Sequence, residues 1–246
     1  DSAEATLVGA TGVNAAIAGH DGAVSVDGTT ITVSGLPAGD YTMVVTTVPD
    51  ANHNAVSAEV AVTVNKANPV LVISANVTEI KYPESIKLSG TLTPDDATGP
   101  IVYYLDGTPV DGDVLARIAP GVYTVTAKYG GDENYNEADS SNSLEITVAK
   151  GDVSIEVTAG SYTITYGEDL FISRILVPAD ASVAVTYIVD GVEVDYQLIS
   201  GLSAGTHTIA AKASESVYYN GAISETKTVT VTKAAVDVTV TADSVT

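Results

Sequence analysis

The sequence predicts an all-β chain: three tandem two-sheet antiparallel sandwiches forming a rod, with one extra strand at the C-terminal end. Three observations point there. A segment closing on lysine recurs as Val62-Thr63-Val64-Asn65-Lys66, Ile146-Thr147-Val148-Ala149-Lys150 and Val229-Thr230-Val231-Thr232-Lys233, the lysines 84 and 83 residues apart, which is the period of a small domain. A second mark, Gly39-Asp40-Tyr41, Gly121-Val122-Tyr123 and Gly205-Thr206-His207, keeps spacings of 82 and 84. The composition is 45% hydrophobic, rich in Val and Thr, with one Phe and no Trp, which favours β-branched strands; no stretch has helical periodicity. The expected domains are 1–66, 67–150 and 151–233, and 234–246 starts a further repeat.

The second repeat is the clearest. Val70 to Ile73 and Ile86 to Leu92 read as a first and a second strand, separated by a turn at Lys81-Tyr82-Pro83-Glu84 whose counterpart is Tyr166-Gly167-Glu168. Ile101 to Leu105 is stopped by Asp106-Gly107, a hairpin signal echoed by Asp190-Gly191 and by Asp21-Gly22. In Tyr123 to Tyr129 odd positions are apolar or aromatic and even ones polar, so one face meets a core and the other water. A loop over Gly130 to Asp139 leads to a last strand with Leu144, Ile146 and Val148 alternating inward. Each repeat thus carries about seven short strands, the pattern of an antiparallel sandwich. Tyr41 and Tyr123, near the start of the sixth strand, are candidate corner tyrosines, whose hydroxyls turn back onto upstream backbone; His207 takes that place in the third repeat, where the corner must be absent or altered. Joints as short as Lys66-Ala67-Asn68-Pro69 and Lys150-Gly151-Asp152 are expected to limit bending.

Tyr166-Gly167-Glu168, Tyr187-Ile188-Val189-Asp190-Gly191 and above all Pro120-Gly121-Val122-Tyr123-Thr124-Val125-Thr126-Ala127-Lys128-Tyr129-Gly130-Gly131-Asp132-Glu133-Asn134-Tyr135 resemble the Ig-like tandem repeats of bacterial and archaeal surface proteins. The resemblance is best over 67–150 and weakest over 1–66, where Val48-Pro49-Asp50-Ala51-Asn52-His53-Asn54 replaces the Tyr-Gly-Gly-Asp form. It implies Ig-like sandwiches in an extracellular or cell-surface stalk, adhesin or filament, with no catalytic residues to carry over.

The residues agree with a non-catalytic reading. A formal charge of −21 repels nucleic acid and anionic lipid, and the absence of cysteine excludes disulfides, thiolate catalysis and cysteine-ligated metals. His53 aligns with Tyr135 and Tyr219, and His207 with Tyr41 and Tyr123, so these histidines stand at packing or loop positions. Asp95-Asp96, Asp111 with Asp113, and Asp132-Glu133 lack the spaced pattern of a calcium loop; no cofactor or metal is expected. Lys66, Lys150 and Lys233 end strands and are expected to be exposed, which argues against isopeptide crosslinks. Tyr103, Tyr104, Tyr218 and Tyr219 are candidates for a sugar-stacking platform, and Asn76-Val77-Thr78 is a lone glycosylation sequon. No segment has the apolar length to span a membrane, and the internal Met43 behind Asp1 fits a processed or excised chain.

The phase of the repeats speaks to mechanism. Val236, Val238 and Val240 alternate with Asp237, Thr239 and Thr241 as Val153, Ile155 and Val157 do with Ser154, Glu156 and Thr158, so 234–246 reads as a complete first strand. The first repeat opens near the equivalent of Ser85–Leu88, in what would be its second strand. Two readings follow. Val236, Val238 and Val240 form a donor strand that fills the first repeat of a neighbour, giving head-to-tail self-association; or the chain is part of a longer array, an adhesin segment binding cell-surface glycan or protein through its loops.

Overall fold

The computed structural model describes residues 2–4 and 11–242. Its regular structure there is entirely β. The first repeat holds β1 (Ser2–Glu4), β2 (Val13–Ile17), β3 (Val24–Asp27), β4 (Thr30–Val33), β5 (Gly39–Thr47) and β6 (Ser57–Val64). The second holds β7 (Val70–Ala75), β8 (Glu79–Lys81), β9 (Ser85–Thr93), β10 (Ile101–Leu105), β11 (Thr108–Pro109), β12 (Val114–Ala116), β13 (Gly121–Tyr129), β14 (Ala138–Asp139) and β15 (Leu144–Ala149). The third holds β16 (Ser154–Ala159), β17 (Thr163–Thr165), β18 (Leu170–Val177), β19 (Val185–Val189), β20 (Val192–Val194), β21 (Leu198–Ile199), β22 (Gly205–Ala213), β23 (Ala222–Ile223) and β24 (Lys227–Thr232). The chain divides into two compact units, 1–76 with 88–113 and 124–144, and 77–87 with 114–123 and 145–246.

The third repeat shows the sandwich most fully. One sheet runs β16-β18-β21 and the other β17-β24-β22-β19-β20, with β23 on β22. Alternation along β16, β18, β22 and β24 turns Val157, Ile172, Ile209, Ala211 and Val229 inward, all fully buried in one core. The second repeat repeats the pairings: β7 and β12 flank β9, β13 and β11 flank β10, and β8 runs parallel to β15. In the hairpins at Asp106-Gly107 and Asp190-Gly191 both loop residues have positive φ, as a two-residue type I′ turn requires. Asp21-Gly22 is different: it lies in a turn closed by Ala23 N donating to the carbonyl of His20, and the first repeat's tight hairpin is β3–β4, turning at Gly28 with φ of 61°.

The turns between first and second strands stand where the sequence places them, at Tyr82-Pro83 and Tyr166-Gly167, and a further short strand precedes each. β8 and β17 pair in parallel with β15 and β24, placing Ile80 opposite Val148 and Ile164 opposite Val231. These strands are three residues long, below the length at which alternation is legible.

The first repeat has two sheets, β1-β4-β3 and β2-β5-β6, around Val13, Ile17, Ile31 and Met43. β1 meets β4 in the register in which β9 meets β12: Ala3 faces Ile31 as Ile86 faces Leu115. Among the described residues β1 has no neighbour corresponding to β7 or β16, and β6 none corresponding to β8 or β17. Burial records this. Val62 and Val64 on β6 are half-exposed, whereas Val148 and Val231 at the equivalent of Val64 are each 3% exposed.

The difference sets an expectation for stability. Ile209→Ala, deep in the third core, should cost about 2–5 kcal/mol in urea unfolding, and Val62→Ala in the half-covered first repeat about 1 kcal/mol or less.

Candidate functional site

Two of the closing lysines, Lys66 and Lys150, begin the contacts that join one repeat to the next. At the first joint, within one compact unit, Lys66 Nζ donates to the carbonyl of Asp132 at 2.6 Å. Ala67 forms a parallel bridge with Tyr135, its N–H donating to Asn134 O and its carbonyl accepting from Asn136 N, both at 2.9 Å. Asn136 Nδ2 adds a bond to Asn68 Oδ1 at 2.8 Å.

The second joint, within the other unit, has the same bonds 84 residues on. Lys150 Nζ donates to the carbonyl of Ser216 at 2.7 Å and pairs closely with the Glu215 carboxylate. Gly151 bridges Tyr219, its N–H donating to Tyr218 O at 2.9 Å and its carbonyl accepting from Asn220 N at 2.8 Å. Asn220 Nδ2 donates to Asp152 Oδ1 at 2.7 Å, and Lys81 Nζ holds Asp152 Oδ2 at 2.5 Å. Tyr82 lies against Tyr218 and Tyr219, with ring centroids 4.8 and 5.4 Å apart. A Cβ on Gly151 would lie 2.2 Å from the Tyr82 carbonyl oxygen, so glycine is required where that turn closes on the joint.

Each receiving loop is shaped beforehand by one side chain. Asp132 Oδ1 accepts from Asn134 N and Tyr135 N, both at 2.8 Å, while Oδ2 accepts from Thr98 N at 2.7 Å. These main-chain donors, Thr98 foremost, pull its pKa down to about 2. Ser216 Oγ does the same for Tyr218 N and Tyr219 N. In the first repeat Asp50 Oδ1 accepts from Asn52 N and His53 N at 2.7 and 2.8 Å, and Asp50 N donates to His53 O as Asp132 N does to Tyr135 O. The 50–54 loop therefore has the receiving shape. It is exposed throughout, and among the described residues nothing occupies it.

The other predicted positions fall as follows. Tyr41 Oη donates to the Pro37 carbonyl and Tyr123 Oη to the Ala119 carbonyl, each at 2.8 Å. His207 reaches the same i−4 carbonyl by another route: Nε2 lies 2.8 Å from Ser203 O, and Nδ1 lies 2.6 Å from Asp190 Oδ2. Two acceptors facing the two ring nitrogens favour the imidazolium, and the Asp190 carboxylate raises the His207 pKa above 6.5. Tyr103 and Tyr219 are 6% and 5% exposed, so neither can stack a sugar; they are core and joint residues. Val236, Val238 and Val240 are 86%, 81% and 85% exposed in a segment that forms no strand over 234–242; residues 243–246 of the predicted strand lie outside the described residues. Among the described residues no group of three or more His, Asp or Glu converges to hold a metal ion, and no helix is long and apolar enough to cross a membrane.

The joint residues were missed from sequence. Their signal was present as a constant separation of 66 between Lys66 and Asp132 and between Lys150 and Ser216, and as the recurrence of Asn54, Asn136 and Asn220.

No family model and no curated protein matches the chain. Solved structures similar to it include the fibronectin(III)-like modules of Clostridium thermocellum CbhA, at 15% identity over 70% of this chain and all of that one, TM-score 0.30. SGBP-B of the Bacteroides ovatus mixed-linkage glucan utilization locus, in complex with a mixed-linkage heptasaccharide, is 19% identical over 94% of this chain and 63% of that one, TM-score 0.23. Immunoglobulin domains 1–5 of Sidekick-1 are 12% identical over 95% of this chain and 57% of that one, TM-score 0.27.

Two pH effects follow. The raised His207 pKa gives a contribution that is complete below about pH 6.5 and lost as pH rises through the folded value; the lowered Asp190 pKa gives one that is lost as pH falls below about 4. The stability advantage of the parent over His207→Tyr in denaturant unfolding should accordingly be larger near about pH 5 than near about pH 9. Asp132 holds its loop above about pH 4 and loses it as pH falls toward about 2, an acid limb that Asp132→Ala should flatten.

Proposed function

We propose that the chain is a structural, non-catalytic protein of the extracellular space or cell surface, a stalk or filament whose residues 234–246 supply the first strand of a sandwich in a neighbouring molecule. The observation that carries this is the match between a surplus and an opening. In the third repeat Val153, Ile155 and Val157 are 8%, 9% and 0% exposed because the segment, paired to β18 along β16, turns them into the core between the sheets. Val236, Val238 and Val240 have the same spacing and stand in solvent. On the first repeat, β1 has the register of β9 but no strand in the place of β7 among the described residues.

Burying three valines contributes about 5–9 kcal/mol gross, at about 1.5–3 each, with main-chain hydrogen bonds in addition and the entropy of association against it. A head-to-tail contact of this kind is heterologous and propagates unless it closes into a ring. A second reading, a segment binding glycan or protein through its loops, is favoured by one observation: Tyr218 presents 39% of its surface beside Tyr82.

Light scattering and negative-stain microscopy of residues 1–246 should show concentration-dependent multimers. Residues 1–233, and residues 1–246 carrying Val238→Asp, should remain monomeric. Residues 1–246 remaining monomeric at all concentrations would remove the strand-donation reading, and glycan binding abolished by Tyr218→Ala would favour the second.

A further inference from the structure

Both halves of a third joint are present on one molecule. The closing segment Lys233-Ala234-Ala235 is equivalent to Lys66-Ala67-Asn68 and Lys150-Gly151-Asp152, and the Asp50–Asn54 loop is equivalent to 132–136 and 216–220. Lys233, Ala234 and the loop are all exposed. We infer that the Asp50–Asn54 loop is a docking site for Lys233-Ala234 of a second molecule, which fixes the register of the donated strand before its valines engage.

The bonds can be named from the two joints already formed. Ala234 N–H donates to Asn52 O, as Ala67 does to Asn134 O; Asn54 N donates to Ala234 O, as Asn136 N does to Ala67 O; Lys233 Nζ donates to the carbonyl of Asp50, as Lys66 does to that of Asp132. His53 takes the bridge position of Tyr135 and Tyr219. Two departures distinguish this joint. Ala235 has no side-chain acceptor for Asn54, so one bond found at Asn68 and Asp152 is absent. Ala234 carries a Cβ where Gly151 has none, and the turn equivalent to Tyr82 is that of Tyr166, held by Tyr166 N donating to Thr232 O at 2.7 Å. That turn must shift aside for Ala234 to seat; the Tyr166 ring, 56% exposed, has no joint packing to hold it. Ala234→Gly is therefore expected to strengthen association, in the opposite direction to an ordinary exposed alanine-to-glycine change in a strand.

The inference rests on the strand-donation reading, and the test separates the two. The chain has no native cysteine, so residues 1–246 carrying both Ala234→Cys and His53→Cys can be oxidised at multimer-forming concentration and run without reductant. Bridge partners lie within the Cα separation a disulfide spans, so a ladder is expected, about tenfold stronger than from Asp237→Cys with His53→Cys, and absent from either single variant beyond dimers. Lys233→Met should weaken multimerisation about tenfold by light scattering, while Ala234→Gly tightens it. Multimers that form without a 234–53 crosslink above the Asp237 control, and are indifferent to Lys233→Met, would overturn the docking loop and leave strand donation standing. No multimers from the parent chain would overturn both.

Discussion

The arrangement within each compact unit depends on one short main-chain bridge, made by the residue after Lys66 in one and after Lys150 in the other. Ala67 and Gly151 each exchange two hydrogen bonds with a loop of the following repeat, and the lysine before each reaches the carbonyl two residues earlier in the same loop. Peptide groups left unpaired at such a crossing would face a desolvation penalty; here they are satisfied by partners whose geometry an Asp or Ser side chain has already fixed. The bridge is sequence-tolerant because it uses backbone. The side chains around it vary, with Asp132 exchanged for Ser216, Ala67 for Gly151 and Asn134 for Tyr218, while the bonds stay the same.

This explains why lysine recurs at the end of each repeat. Its ammonium gains a carbonyl at both joints, and at the second also the Glu215 carboxylate, in a chain whose acidic excess leaves few cations to spare. Exposed ion pairs of this sort add little by themselves. Their value is directional: Nζ, the bridge and the Asn amide act on one loop together, so each limits the freedom the others must otherwise remove. The His207 site shows the same economy of position. Tyrosine and protonated histidine both reach the carbonyl four residues upstream, the imidazolium through a carboxylate that the neighbouring hairpin turn already supplies.

The fold was legible because its determinants are periodic. Alternation from Tyr123 to Tyr129 and along Leu144 to Val148, together with the Asp-Gly turns, locates strands long enough to bury a face. What escaped has physical reasons. β8 and β17 span three residues each and are held by parallel pairing to a distant strand, which leaves no local pattern. Asp21-Gly22 carries a hairpin signal but sits in a turn before a longer excursion through β3 and β4. Tyr103 alternates with Tyr104 across the sheet, so adjacent aromatics that suggest a platform face opposite sides, one of them into the core. The joints escaped because backbone makes them, and backbone partners leave only spacing in a sequence.

The most direct test of the bridge is hydrogen exchange at three equivalent amides, Ala67, Gly151 and Ala234, followed by NMR. In dilute protein Ala67 and Gly151 should exchange as slowly as strand amides and Ala234 at the rate of an open chain; under conditions of self-association Ala234 should join the slow class. Rapid exchange at Ala67 and Gly151 in the dilute protein would contradict the account, because the bonds on which it rests would then not persist in solution.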